Sequence, residues 1–359
     1  MDIGNQQQLR FAVAGLGYWG PNLLRVLSDN PGVEVTWLCD LDPDRRERFA
    51  RRYPGIRVTA SFDDLLADDS LDAIVVATPV FTHVELCTRA LVAGKHVFVE
   101  KPLATSSVLA GELIRLSEIQ DRVLMCGHTF IYSPAVMAIK QMLAAKSLGD
   151  VYFISSSRVN LGLHQRDISV LWDLGPHDFS ILLNWIGELP HAVRAVGRDS
   201  VVPGIVDVAF VTLSFPSGLV ANVELSWLAP SKLRRTVIVG SEKMVVYDDG
   251  AVEPVRVFDH GVVYRDPETF GQYHLSYRTG DIVSPKLESH EPLHEELDDF
   301  ATSIRSGRPL RSDARLARDV VRLTEAADRA LQSGQEIALA LLTTPDGHLD
   351  PVELSVGAL

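Results

Sequence analysis

Leu9-Arg10-Phe11-Ala12-Val13-Ala14-Gly15-Leu16-Gly17-Tyr18-Trp19-Gly20 decides the fold of this chain. An apolar β-type run enters a turn containing Gly15, Gly17 and Gly20, and Pro21 then suits an early position of a helix over 21–30. In that setting the glycines allow a tight turn, close backbone approach to a pyrophosphate and close helix packing. The helix N-terminus adds amide donors and a favourable dipole. Methyltransferases and many turns carry similar glycines, so the strand-turn-helix context gives the motif its weight. Asp40 follows a second strand over 33–39 and lies twenty residues past Gly20. Its carboxylate is placed to accept hydrogen bonds from a ribose diol, or to cap the helix after Pro43, and the two roles are compatible. A carboxylate repels a 2′-phosphate, which favours NAD over NADP, although Arg45 and Arg46 nearby temper that preference.

The alternation continues outward. Helical patterns over 43–53, from Ser61, 82–93 and 109–120 are interleaved with strand patterns over 72–77, 96–100 and 123–126, which predicts a doubly wound parallel sheet. The run His96-Val97-Phe98-Val99-Glu100-Lys101-Pro102 ends in a charged pair and a proline. An isolated Glu-Lys-Pro reads as an exposed turn. At the carboxyl end of a core strand it lies where open α/β sheets bind ligands, and a rigid strand sets the lysine in one geometry.

Beyond residue 128 the pattern changes. A helix over 133–145 precedes an alternating strand over 151–158, and two alternating runs, 206–215 and 219–227, flank Pro216-Ser217-Gly218 as a hairpin. Further β character over 233–239 and 244–247 and helices over 293–306 and 313–333 predict an α+β domain with a largely antiparallel open sheet. The 359 residues therefore divide into 1–128, 129–340 and an unassigned tail at 341–359. A formal net charge of −13 argues against a duplex nucleic-acid surface, and no apolar run approaches a membrane span. Cys39, Cys87 and Cys126 all sit in apolar segments, so buried thiols and a cytoplasmic location are expected.

Trp172-Asp173-Leu174-Gly175-Pro176-His177-Asp178 is the third informative stretch. Pro176 suits the first helical position, which would put His177 in the first turn, where the helix dipole keeps the imidazole neutral and able to accept a proton. Asp173, four residues earlier, could orient the ring or hold substrate hydroxyls. Ordinary polar residues at a helix start would look the same.

The glycine turn, Glu100-Lys101-Pro102 and Asp173-x-x-x-His177, in this order, resemble the Gfo/Idh/MocA oxidoreductase family, to about residue 335. The resemblance implies a Rossmann domain, a C-terminal α/β domain whose open sheet makes subunit contacts in a homodimer or homotetramer, and nicotinamide-dependent chemistry on a secondary alcohol. Sugars, nucleotide sugars, cyclitols and aminoglycoside-type compounds are the substrates it suggests. It implies that Lys101 and His177 act on the reacting hydroxyl, with Asp173 assisting, and that Glu100 faces the nicotinamide ribose. Tyr18, Trp19, Thr78, Pro79 and His83 would line the cofactor, and Pro102 would follow a cis peptide bond. Arg158, Asn160, His164 and Gln165 precede the Asp173 segment and, with Tyr132, are candidate substrate contacts. Lys232, Arg234 and Arg235 form a basic cluster that suits a sugar phosphate, a solvated edge or a subunit contact. His290, His294, Glu295 and Asp298 have spacings open to a metal, but read better as a charged helix start, and no metal is expected. Two other functions compete: a glycoside hydrolase that retains NAD for internal redox, and a dinucleotide sensor without catalysis, against which the intact Lys101, Asp173 and His177 set counts.

Overall fold

The computed structural model describes residues 8–162, 168–264 and 275–339. The first part runs β1 (Leu9–Ala14), α1 (Gly20–Asp29), β2 (Val33–Cys39), α2 (Pro43–Arg52), β3 (Arg57–Thr59), α3 (Phe62–Leu66), β4 (Ala73–Val76), α4 (His83–Val92), β5 (His96–Glu100), α5 (Ser107–Ile119) and β6 (Leu124–Gly127). Its strands form a six-stranded parallel sheet in the order β3-β2-β1-β4-β5-β6. The order reverses between β1 and β4, and a crevice at the carboxyl ends of the strands follows from that reversal. Continuous burial of β4 and β6 matches a sheet covered on both faces.

The second part contains α6 (Pro134–Ala144), β7 (Val151–Leu161), α7 (Val170–Ile186), β8 (Ala192–Arg198), β9 (Val208–Ser214), β10 (Val220–Ser226), β11 (Leu228–Gly240), β12 (Met244–Asp248), β13 (Val255–Tyr264) and β14 (Leu275–Val283). It closes with α8 (Pro292–Ser306), α9 (Ala314–Ser333) and β15 (Ile337–Ala338). Nine strands pair in the order β14-β13-β12-β11-β7-β10-β9-β8-β15. The β7–β10 pair is parallel and its neighbours are antiparallel. Alternation in β9 and β10 sends Val211, Leu213, Val223 and Leu225 against Phe179 and Leu182 of α7 and Leu323 of α9. The opposite face leaves Phe153, Phe210 and Val196 exposed.

The last helices return to the first sheet. Phe300 of α8 packs edge-on against Phe11 of β1 and Phe98 of β5, with ring centroids 5.7 and 5.9 Å apart. Ala314 and Ala317 of α9 join the core around Val97, Val99 and Cys126, and Val320 and Leu323, further along, join the second core. By packing, the chain visits the parallel-sheet core twice.

Candidate active site

β5 delivers Glu100 and Lys101 to the carboxyl edge of the parallel sheet, and the Lys101–Pro102 peptide bond is cis. Lys101 Nζ donates to the Asp173 carbonyl at 2.9 Å and stands 3.6 Å from the Asp173 carboxylate. Trp227, buried between β10 and β11, donates its indole N–H to the other carboxylate oxygen of Asp173 at 3.1 Å. Asp173 and His177 are four residues apart on α7 and therefore share a face.

The helix starts earlier than the sequence suggested. α7 begins at Val170, and Pro176 lies inside it, so His177 is well past the first turn and the dipole argument does not apply. Hydrophobic flanks carry the helix back through Leu171, and Gly175 packs beside Leu225 of β10. Pro176 removes one backbone donor within the helix. The imidazole is kept neutral by burial first, and then by the cations of Lys101, Arg158 and Arg234, which push its pKa well below the usual value. The chemical outcome, a neutral base at pH 7, is the same; its cause is different.

Phe130 organises the wall beside His177. Its ring meets the His177 ring edge-on at 5.1 Å, while the guanidinium groups of Arg158 and Arg234 lie 4.5 and 5.2 Å from its centroid. Arg158 is buried and paired with Asp178, which also accepts from Ser156 at 2.7 Å.

The Lys101–His177 end continues into a cleft of about 1300 Å³ lined by Gly15, Gly17, Tyr18, Trp19, Asp40, Thr78, Pro79, Glu100, Lys101, Asp173 and His177. A Cβ at Gly15 would lie 2.4 Å from the Ala77 carbonyl oxygen, and one at Gly20 would lie 1.9 Å from that of Gly15. A Cβ at Gly17 would meet only the Arg45 guanidinium at 3.5 Å, so this glycine keeps the cleft floor low. The first turn of α1 carries no side-chain cap. Asp40 accepts from the Leu16 N–H at 2.6 Å and the Asp42 N–H at 2.8 Å, with Arg45 3.6 Å away. The Trp19 indole N–H and the Glu100 carboxylate face each other at the buried end of the cleft. A glycine floor and an uncapped helix start fit a dinucleotide lying from Asp40 to Glu100.

Residues 9–128 match the oxidoreductase family with an NAD-binding Rossmann fold, and residues 136–246 match the GFO/IDH/MocA C-terminal domain. The chain belongs to the Gfo/Idh/MocA family. Among its relatives, an uncharacterized oxidoreductase of Streptococcus pneumoniae is 33% identical over 164 residues, 46% of this chain and 43% of that protein. The 2,7-anhydro-N-acetylneuraminate hydratase of Escherichia coli is 27% identical, covering 60% of this chain and 61% of its own. The chain thus spans less than two thirds of both. The UDP-N-acetylglucosamine 3-dehydrogenase of Acidithiobacillus ferrooxidans is 26% identical over 87% of this chain and 94% of its own. The crystal structure of GenD2 from gentamicin A biosynthesis in complex with NAD superposes with a TM-score of 0.79 at 26% identity, covering 95% of this chain and 99% of that one.

Several residues expected at this Gfo/Idh/MocA site lie behind the cleft rather than on it. His83 is buried, its ring nitrogens 2.9 Å from the carbonyls of Pro102 and Thr78, so it ties the Thr78 loop to the lysine segment. Tyr132 is fully buried, and its hydroxyl donates to Asp299 at 2.8 Å. Arg158 and Asn160 are absent from the described lining, Gly20 supports the turn from beneath, and His164 and Gln165 lie outside the described residues. His290 approaches the Tyr132 carbonyl at 3.3 Å and Asp298 pairs with Asn30 at 3.4 Å; no metal-type cluster occurs among the described residues.

Sequence reasoning missed Trp227, Phe130 and Asp249 at the site, and the buried His128 and Glu296 behind it. His128 is pushed down to about 3 by burial and by Lys101, and Thr129 donates to Glu296 at 2.7 Å. Glu100 is pushed up to about 7, chiefly by burial and against the opposing pull of Lys101. His128 and Asp249 are polar residues just after strands and give no periodic signal, while Trp227, Phe130 and Glu296 read as ordinary packing or helix positions.

Proposed function

We propose that this protein is an NAD-dependent dehydrogenase or reductase acting on a secondary alcohol or ketone of a sugar, nucleotide sugar, cyclitol or aminoglycoside-type substrate. The observation that carries this reading is the convergence of Lys101, Asp173 and His177 at the end of a cleft that starts on the glycine turn. The bound nicotinamide supplies a hydride acceptor or donor. Gly15, Gly17, Tyr18, Trp19, Asp40, Thr78, Pro79 and Glu100 hold it, with Gly20 and His83 shaping the cradle from behind.

His177 Nδ1 or Nε2 takes the hydroxyl proton, which its neutral state at pH 7 permits. Lys101 places its ammonium beside the oxygen that gains negative charge. Asp173 anchors that ammonium and is itself fixed by Trp227. In the reductive direction the same groups polarise the carbonyl and return the proton. Arg158 supports the substrate side in this scheme through the Phe130 wall it braces, and Asn160 and Gln165 are proposed substrate contacts.

The name of the Escherichia coli relative, a hydratase, favours a second reading in which NAD is reduced and reoxidised within one turnover. Absorbance at 340 nm separates the two. Purified protein with NAD is screened against inositols, free sugars, nucleotide sugars and aminoglycosides, then with NADP. NADH accumulation with one class supports the dehydrogenase; product formation without it supports internal redox. NAD binding with no chemistry in either direction would leave a sensor.

The same reading includes a second copy of the chain on the face that exposes Phe153, Phe210 and Val196, and a cytoplasmic setting in which the buried Cys39, Cys87 and Cys126 stay as thiols.

A further inference from the structure

The catalytic cleft does not end at His177. Ser133 and Asp249 line it and also line a second cavity of about 480 Å³, bounded further by Ala251, Glu253, Lys286 and Glu288. That volume lies in the ~300–1,000 Å³ range of small-molecule sites. The junction is held firmly. Asp249 accepts from Arg234 at 2.9 Å and from the Tyr247 hydroxyl at 3.2 Å. Arg234 lies over Phe130, whose ring meets His177, so the second cavity begins two side chains from the proton-handling imidazole.

The charges of the two spaces differ. At the junction Arg234 and Asp249 neutralise each other and offer fixed donors and acceptors suited to hydroxyls. Beyond it, Glu253 and Glu288 stand at the solvent-exposed mouth, with Lys286 the one lysine or arginine among the described lining and His290 3.9 Å from Glu288. Glu253 is engaged only by the Ser284 hydroxyl at 2.9 Å in the bonds described, so its charge is not matched by a partner cation. A diphosphate placed there would meet like charges with little to offset them. An ammonium group would meet the opposite.

We infer that the second cavity is a subsite for a ring joined to the reacting sugar or cyclitol, and that it takes an amino-substituted ring in preference to a nucleotide diphosphate. This rests on the carbohydrate reading above and narrows it. The reacting ring sits between Lys101 and His177, its neighbour passes the Arg234–Asp249 pair, and the amino group lies near Glu253.

The test is calorimetric titration of the full-length protein, saturated with NAD, with glucose, glucosamine, cellobiose, the diamino disaccharide of glucosamine, and UDP-glucose. The diamino disaccharide is expected to bind about tenfold tighter than glucosamine, with cellobiose between them and UDP-glucose weakest. Ala251→Trp, which fills the second cavity, brings the disaccharide down to the affinity of glucosamine. Glu253→Lys reverses the order of cellobiose and the diamino disaccharide, and gives a second reading should the tryptophan variant fail to fold. Equal affinities for one and two rings, or UDP-glucose binding tightest, overturns the subsite. Binding of glucose and glucosamine alone overturns it while leaving the carbohydrate reading intact. No sugar binding beside normal NAD binding overturns both.

Discussion

The Trp227 indole N–H donates to Asp173 at 3.1 Å, joining the end of β10 to the helix that carries His177. Lys101 approaches the other oxygen of the same carboxylate at 3.6 Å. Asp173 is therefore fixed from two directions before any substrate arrives. Trp227→Phe keeps the aromatic bulk and removes the donor. A hydrogen bond to a charged group is worth about 1.5–3 kcal/mol, so kcat should fall about tenfold with KM changed less than about threefold. Steady-state kinetics beside a melting curve checks this; an unchanged kcat would remove Trp227 from the positioning scheme.

Lys101→Met should lower turnover by roughly 10²–10⁴-fold while NAD affinity stays within about threefold. A second effect follows from charge. Lys101 is one of the cations that depress the His177 pKa, so its removal shifts that pKa upward. The acid limb of the residual pH–rate profile should move to higher pH than in the parent protein. A limb that stays in place would show that Lys101 has no part in holding the His177 pKa down.

Glu100 gives the apo protein a defined pH dependence. Its carboxyl titrates near 7 when folded, above the ordinary value of 4.5, because burial favours the neutral form. The contribution is thus fully present below about pH 4.5 and is lost as pH rises through about 7. Glu100→Gln removes the loss, so the variant should gain up to about 3 kcal/mol over the parent between those limits, then hold that lead. Urea unfolding at pH 5 and pH 8 measures it, and a lead that shrinks as pH rises contradicts the assignment. Activity should fall in the same variant, since the residue faces the cofactor end of the cleft.

Two glycines of one turn should respond oppositely to alanine. Gly20→Ala drives a methyl into the Gly15 carbonyl and should lower stability by about 2 kcal/mol or more, with dinucleotide binding lost. Gly17→Ala meets only the mobile end of Arg45, so melting should barely change while NAD affinity drops about tenfold. Equal melting losses in both would mean that Gly17 serves the fold rather than the ligand.

Asp40→Ser tests cofactor choice. Removing the carboxylate leaves Arg45 without that partner at the cleft wall and should raise kcat/KM for NADP relative to NAD by about tenfold. It also strips an acceptor from the Leu16 N–H, at a cost of about 1–3 kcal/mol. Paired NAD and NADP kinetics decide it.

Five strands of the first sheet were legible because they are short apolar runs punctuated by Gly15, Gly94 and Pro43, and the chemistry-bearing residues end those runs; β3, three residues long with Arg57 exposed, gave no such run. Glu100, Lys101 and Asp40 could be placed for that reason. The hairpin at Pro216-Ser217-Gly218 was read from strict alternation, which β9 and β10 keep. β8 was not anticipated, because four of its seven residues, Arg194, Val196, Gly197 and Arg198, are exposed, and its pattern is half open to solvent. β13 and β14 lie at the outer edge of the same sheet, with the same result. Pro176 misled because proline marks helix starts far more often than interiors, whereas the burial of Val170 and Leu171 starts the helix six residues earlier. Trp227 reaches Asp173 across 54 residues, a contact no local pattern encodes.

Phe300 sits against Phe11 and Phe98, more than two hundred residues away along the chain. A fragment ending at residue 128 would therefore present both rings and the face around them to water. Such a piece should collect into aggregates or capture other chains, even though every strand of its sheet is present. Dinucleotide affinity measured on the isolated amino-terminal half would report that exposed surface as much as the glycine turn. Supplying α8 in trans, as a peptide spanning 292–306, offers a way to restore the missing wall.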